Sequence, residues 1–338
     1  MRVMVCYYFF ERAITLGNDL AEGFESLGHE VCRFDSTITL RFGRWWKLAK
    51  SLGKLIGQKQ RVAAYHERKL SDDLSKRFAQ AAEAFRADLI VVIQGERIAA
   101  PLVQDVSKKL GARSVLWWVK PPRWQASIFE DRPFYDAVFT IDGSVAQDGI
   151  GHLPSWGLNP KLFYPGRFED KTRELLFVGS WSENRQRYLE AIADLPLRVV
   201  GSGWRKRLPA NHPLRAKLAE TWIGGSDLAD AYRKAWAVVD IPQFEQTEGQ
   251  GVNMRFADVP ACGTVLITGE SQETQVWFGA QEGLVTYQDE ASFKDVAKKM
   301  IVDETSVFNV SQAGALTAAT LPTFVDRAKV FCEVCRGN

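Results

Sequence analysis

At 338 residues, with 46% hydrophobic and 25% charged side chains, the chain has the make-up of a folded globular protein of about two domains. Its 26 Gly and 13 Pro exclude a collagen-like or low-complexity chain, and its longest apolar runs fall far short of the ~20 residues of a membrane-spanning helix. A net charge of +2 lacks the strongly basic balance that nucleic-acid binding calls for, so no nucleic-acid partner is expected.

The first apolar run, Val3 to Phe10, ends at Glu11 and Arg12 without a small-residue cleavage pattern, so it reads as a buried strand rather than a secretion signal. Ile14, Leu20, Phe24 and Leu27 then fall on one helical face, stopped by Gly28. Strands are expected at Glu30 to Phe34, Leu89 to Gln94, Ser114 to Val119 and Ala137 to Ile141, with helical pattern between most of them. Strands alternating with helices predict parallel βαβ units with right-handed crossovers. Between Arg41 and Lys69 stand nine Lys/Arg against the single acid Glu67, interleaved with Trp45, Trp46, Leu48, Leu52, Leu55 and Ile56. Such a stretch reads first as an amphipathic helix packed on its own domain with its lysines solvated, with peripheral contact with an anionic membrane face as the alternative.

The turn-rich run Leu158 to Gly166 reads as an interdomain linker. Beyond it the alternation restarts, with strands expected at Leu175 to Val178, Leu197 to Val200, Thr221 to Ile223, Val238 to Ile241, Thr264 to Thr268 and Leu284 to Tyr287. A helical tail follows from about Leu321. The predicted class is therefore α/β, with two Rossmann-like doubly wound domains at 1–160 and 161–320. Residues 321–338 are expected to form a C-terminal helix crossing back to the first domain.

Several chemistries have no sequence support. There is no GxxxxGK[ST] phosphate loop, HExxH or GxSxG, and Tyr7-Tyr8-Phe9-Phe10 stands where a dinucleotide fingerprint needs glycines. Gly201-Ser202-Gly203-Trp204 lacks a third glycine in place. The histidines at 29, 66, 152 and 212 are dispersed, so no metal and no bound cofactor is expected. Cys6, Cys32, Cys262, Cys332 and Cys335 read as reduced thiols of a cytoplasmic protein, the Cys332/Cys335 pair having no second pair to complete a zinc site.

The chemistry concentrates in the second half. Phe177-Val178-Gly179-Ser180 closes a strand at a glycine turn, where backbone N–H groups can approach a phosphate, and Arg185 lies a few residues on. A tight turn with a surface arginine is the plainer alternative. Gln250-Gly251-Val252-Asn253-Met254-Arg255 leads into a short helix ended by Gly263, with Asn253 its expected N-cap. That places N–H groups and Arg255 where an anion would sit, and Asp258 one turn further, in reach of ribose hydroxyls.

The run from Asn253 through Arg255 and Asp258 to Ala261-Cys262-Gly263 resembles the donor-site signature of GT-B glycosyltransferases of group 1, most of all the CgeB-like subgroup. Leu153 to Pro165 is similar to the family's interdomain hinge. Phe177 to Ser180 with Arg185 resembles the first turn of its C-terminal domain. Trp222-Ile223-Gly224 with the helix around Leu228 and Tyr232 resembles the segment beside the donor base.

The resemblance implies a metal-independent glycosyltransferase of glycan biosynthesis. Its co-substrate would be a nucleoside-diphosphate sugar carrying UDP, GDP or dTDP, and its acceptor a glycan, a lipid-linked intermediate or a protein. Helix N-termini and basic side chains would neutralise the leaving diphosphate. Gly179, Ser180, Arg185, Trp204, Trp222, Ile223, Gly224, Gln250, Gly251, Val252, Asn253, Met254, Arg255 and Asp258 would line the donor site. Related enzymes place a glutamate where Asp258 stands and an acid where Gln250 stands, so a two-acid mechanism is not carried over. A base for an inverting reaction is sought at Glu96 and Asp142, each just past a strand of the first domain; helix capping is the alternative role for both. A nucleotide-sugar epimerase of the same fold, or a non-catalytic nucleotide- or sugar-binding protein, are the competing functions.

Overall fold

The computed structural model describes residues 1–9, 15–37, 59–95, 98–120, 127–146, 149–243, 253–278 and 283–336, with the backbone alone at 59–71, 127 and 272–273. Glu96, Gln250, Gly251, Val252 and most of the basic stretch 41–69 lie outside the described residues. Two compact units emerge: Met1–Ala13, Gly17–Leu153 and Ala328–Asn338 form unit 1, and Ile14–Leu16 with Pro154–Arg327 form unit 2.

Unit 1 carries β1 (Arg2–Tyr7), β2 (Glu30–Asp35), β3 (Leu89–Ile93), β4 (Arg113–Trp118), β5 (Ala137–Thr140) and β6 (Ile150–His152), in the order β2-β1-β3-β4-β5-β6. Every pairing is parallel. A parallel sheet covered on both faces needs near-continuous apolar strands, and β3, Leu-Ile-Val-Val-Ile, is buried at all five positions. The connecting helices are α1 (Leu16–Ser26), α2 (Lys59–Phe85), α3 (Ala100–Leu110) and α4 (Ser127–Asp131). Gly111 ends α3 in the left-handed region (φ +66), its N–H bonded to the carbonyls of Ser107 and Lys108. The chain leaves β1 for β2 on one side and returns to β3 on the other, so the topological switch point lies between β1 and β3.

Unit 2 carries β7 (Thr172–Val178), β8 (Leu197–Val200), β9 (Ala235–Val239), β10 (Val265–Gly269) and β11 (Val285–Tyr287), all parallel in the order β11-β10-β9-β7-β8. Its switch point lies between β7 and β9 by the same logic. The helices are α5 (Glu183–Glu190), α6 (Trp204–Arg207), α7 (Gly225–Lys234), α8 (Arg255–Ala261), α9 (Gln272–Phe278), α10 (Glu290–Val302), α11 (Glu304–Ala318) and α12 (Phe324–Glu333). Two doubly wound parallel sheets are thus present, as the strand–helix alternation predicts.

Three local differences have physical causes. β6 was not anticipated, because Ile150-Gly151-His152 holds one buried apolar residue and shows no periodicity. Thr221 to Ile223 form no strand: pairing beside β8 involves Leu218, Ala219 and Glu220, and the chain leaves the sheet with Thr221 and Trp222 exposed. The units part between Leu153 and Pro154, not within Leu158 to Gly166. Trp156, Leu158 and Phe163 are buried in the unit 2 core, and Leu158 bridges to Thr323, so the turn-rich run is held by packing.

α12 begins in unit 2 and ends in unit 1. Within unit 2, Arg327 donates two 3.0 Å bonds to the Trp156 carbonyl. Within unit 1, Phe331 is fully buried, its ring centre 5.4 Å from Trp117, 5.6 Å from Phe139 and 6.4 Å from Phe24. Among the described residues no helix is long and apolar enough to cross a membrane.

Candidate functional site

The carboxyl ends of β7 and β9 converge with the start of α8 at the switch point of unit 2, where open α/β sheets hold ligands. After β7 the chain turns through Gly179 and Ser180. The Gly179 N–H donates to the Val200 carbonyl (2.8 Å), tying the turn to β8. Gly201, at φ +153, approaches so closely that a Cβ there would lie 1.9 Å from the Gly179 oxygen. Trp204, 1% exposed, donates its indole N–H to that same oxygen (2.9 Å) and stands edge-on to Phe177. Trp204 therefore shapes the turn from inside the core. Ser180 is exposed, and its N–H makes no hydrogen bond among the described residues.

Ser182 caps α5 by accepting from the Arg185 N–H (3.3 Å), which fixes where the Arg185 side chain emerges. Its Nε donates to the Ile241 carbonyl (3.0 Å), and Nη1 donates to the Ser180 carbonyl (2.9 Å) and hydroxyl (3.3 Å). Nη2 makes no bond to the described residues. Burial, with the neighbouring Arg255 charge, lowers its pKa to about 10, so it stays cationic at neutral pH.

Arg255 is differently placed. Nη1 pairs with Asp240 Oδ1 (3.1 Å), Nη2 donates to the Val178 carbonyl, and the pair is 19% and 13% exposed. Burial opposes its charge, but Asp240, supported by Tyr232 and Asp258, outweighs this and holds its pKa above the ordinary guanidinium value. Asn253 bridges the two: Nδ2 donates to Asp240 Oδ2 (2.6 Å), and Oδ1 accepts from the Arg255 N–H (2.9 Å). Asn253 was expected as the N-cap, yet Met254 occupies that position without a side-chain cap, and Asn253 makes a turn two residues wide instead.

Asp240, just past β9, is the hub that the sequence reasoning missed. It binds Arg255 and Asn253, accepts from Thr268 Oγ1 (3.3 Å), and its carbonyl accepts from the Tyr287 hydroxyl (2.8 Å). Its one signal is an acid directly following the buried apolar run Ala235 to Val239.

Other expected residues take no part in these hydrogen bonds. Asp258 is 4% exposed, within the fold beside Arg255 and Tyr232, so it is not open to a ribose. Trp222 is 39% exposed, and Gly224 is the extended N-cap of α7, with the Trp222 ring against it. Ile223 is half-buried. In unit 1, Asp142 is buried and caps a short helical turn: Oδ1 accepts from the Ser144 N–H (3.0 Å) and hydroxyl (2.6 Å). Among the described residues no group of three or more His, Cys, Asp or Glu is placed to hold a metal ion.

Residues 183–333 match a family described as glycosyl transferase-like. No curated protein matches the chain. Among solved structures, sucrose-phosphate synthase from Thermosynechococcus elongatus is similar over 99% of this chain and 98% of its own, with TM-score 0.68 at 15% identity. Anabaena HepE, in complex with UDP and glucose, covers all of both chains with TM-score 0.65 at 11% identity. A glycosyltransferase from Rickettsia africae covers 100% and 99% with TM-score 0.63 at 11% identity. The segment 183–333 is thus glycosyl transferase-like in sequence, and the whole chain shares the two-sheet GT-B fold of these solved glycosyltransferases.

Proposed function

We propose that the protein moves a sugar from a nucleoside-diphosphate sugar to an acceptor nucleophile, with the donor diphosphate seated at the switch point of unit 2. One observation carries this reading. Arg185 and Arg255 stand together around Asp240, and among the described residues Arg185 Nη2 and the Ser180 N–H make no hydrogen bond. A diphosphate supplies the acceptor oxygens that these donors lack, and charge-assisted bonds of this kind are the strong ones. Arg255, engaged on two sides, holds Asp240 and the β7 end in place, and Arg185 is the phosphate ligand. As the glycosidic bond to the donor breaks, negative charge grows on the leaving diphosphate, where a preorganised guanidinium stabilises it without a metal. The exposed Trp222 and the backbone of Ile223 and Gly224 form the candidate surface for the base.

The related structures support the ligand class: HepE is in complex with UDP and glucose or with UDP-glucose, and the glycosyltransferase VinC, with a TM-score of 0.50, is in complex with dTDP. Calorimetric titration of UDP, GDP and dTDP into wild type and Arg185→Ala tests the site. At least one nucleotide binds the wild type, and the variant loses about tenfold or more in affinity. Equal affinities, or no binding by any of the three, overturn the placement. Incubation with UDP-glucose, GDP-mannose and dTDP-glucose without acceptor separates the reaction classes. Slow release of nucleotide marks a transferase, interconversion of the sugar an epimerase.

A further inference from the structure

The switch point of unit 1 is built unlike that of unit 2. At the carboxyl ends of β1 and β3, a small cavity with room for about one water-sized group (≈ 10 Å³) is lined by Cys6, Tyr8, Ser36, Ile93, Gln94 and Ile98, among others. No charged side chain stands among the described lining residues. Gln94 is 8% exposed, and its Oε1 is buried without a hydrogen-bond partner. Its backbone is left-handed (φ +73), a conformation that disfavours side chains other than glycine, and Gly95 continues it at φ +71. The Gln94 N–H is used, donating to the Trp117 carbonyl (2.9 Å). The Ser36 hydroxyl is used as well, donating to the Tyr7 carbonyl (3.1 Å). The Thr37 hydroxyl, at the same end of neighbouring β2, is also buried and without a partner. An orphaned amide oxygen on a strained glutamine thus lines a cavity where an α/β sheet binds its ligand. Such strain persists where surrounding structure enforces it, commonly at binding sites.

We propose that this cavity is a subsite for one hydroxyl group of a neutral saccharide acceptor, with Gln94 Oε1 accepting from that hydroxyl. The chemistry follows from the lining. An orphaned amide oxygen needs a donor, which a hydroxyl supplies and an ionised phosphate or carboxylate oxygen does not, and the space admits a single hydroxyl. The assignment rests on the transferase reading above, in which unit 2 takes the charged donor and unit 1 the acceptor.

Saturation-transfer NMR titrations of D-glucose, D-galactose, D-mannose and N-acetyl-D-glucosamine, with the full chain and excess UDP, test the proposal. At least one sugar binds the wild type saturably, and Gln94→Leu weakens it about three- to tenfold, the loss of one net hydrogen bond. Gln94→Gly weakens it equally while melting at or above the wild-type temperature, because glycine accepts the left-handed backbone without strain. The proposal is overturned if none of the four sugars binds the wild type, if both variants bind as the wild type does, or if Gln94→Gly melts lower. UDP affinity, read in the same samples, stays unchanged in both variants. Failure of UDP to bind the wild type would instead count against the donor reading in unit 2.

Discussion

Arg255 and Arg185 sit close together at the carboxyl edge of one sheet, yet substitution should separate them. Arg255→Ala leaves Asp240 buried without its cation and the Val178 carbonyl without its donor, so the expected loss is about 3 kcal/mol of stability in urea unfolding. Arg185→Ala removes bonds to the Ile241 and Ser180 carbonyls at a half-exposed edge and should cost about 1 kcal/mol, its main effect falling on nucleotide affinity. A variant pair with the two effects reversed would exchange the roles assigned to these residues. Lys171 gives a pH-dependent prediction at the opposite end of the sheet. Its Nζ donates to the Arg233 carbonyl (2.7 Å) and to Thr264 Oγ1 (2.6 Å), and burial lowers its pKa to about 8. The unfolded chain, with an ordinary lysine pKa, binds more protons than the folded one between about pH 8 and pH 10.5. Unfolding free energy should therefore rise with pH across that window, by about 2 kcal/mol, relative to Lys171→Met. Parallel curves for the two proteins would show that Lys171 does not titrate there.

At the scale of elements, the site depends on how β7 and β8 end. Successive parallel strands release their chains at the same edge, and here both releases pass through glycines, Gly179 and Gly201. The Gly201 position lies against the Gly179 carbonyl, which is backbone and cannot swing aside. Gly201→Ala is expected to destabilise unit 2 by several kcal/mol and to reduce nucleotide binding by moving the Gly179–Ser180 turn; Gly28→Ala, in open space at φ +79, should cost only about 1 kcal/mol. Thermal melts alongside UDP titration check both. α8 illustrates another dependence. Its seven residues include Pro260, so its position comes from burial of Phe256, Ala257, Val259 and Ala261 rather than from helix propensity.

At the scale of the whole molecule, the chain enters unit 1, builds unit 2, and returns its last residues to unit 1. Phe331 fills a space between Trp117, Phe139 and Phe24, so Phe331→Ala should cost about 3–5 kcal/mol, expressed in unit 1. Ending the chain at Arg327 should have a larger effect of the same kind. Hydrogen exchange checks this: peptides covering β4 and β5 should lose protection while those covering β9 and β10 keep it. Equal loss in both units would mean that the tail supports the entire chain rather than unit 1.

Much of this was legible before any fold was known. Two parallel α/β sheets follow from local pattern, because a strand buried on both faces must be a continuous apolar run and a helix must repeat every three to four residues. Gly179, Arg185, Asn253 and Arg255, singled out by residue type as a glycine turn with nearby guanidiniums, are brought together at one end of the unit 2 sheet, and their role toward an anion is the proposal made above. Other features arise only when distant segments meet. Asp240, inside the strand expected at Val238 to Ile241, gives no sign of its role until folding ends that strand at Val239 and sets the acid against Asn253 and Arg255. Trp204 and Asp258 read as ligand contacts until packing buries them. Gln94 gives no local signal, because its left-handed backbone and unpartnered oxygen are properties of its surroundings. Sequence pattern determined most of the strands and helices, β6 and the 221–223 segment excepted, and which residue types could meet an anion. Tertiary structure decided which side chains are consumed in holding the fold and which are left with unspent hydrogen bonds, because burial and partnership depend on residues far apart in the chain.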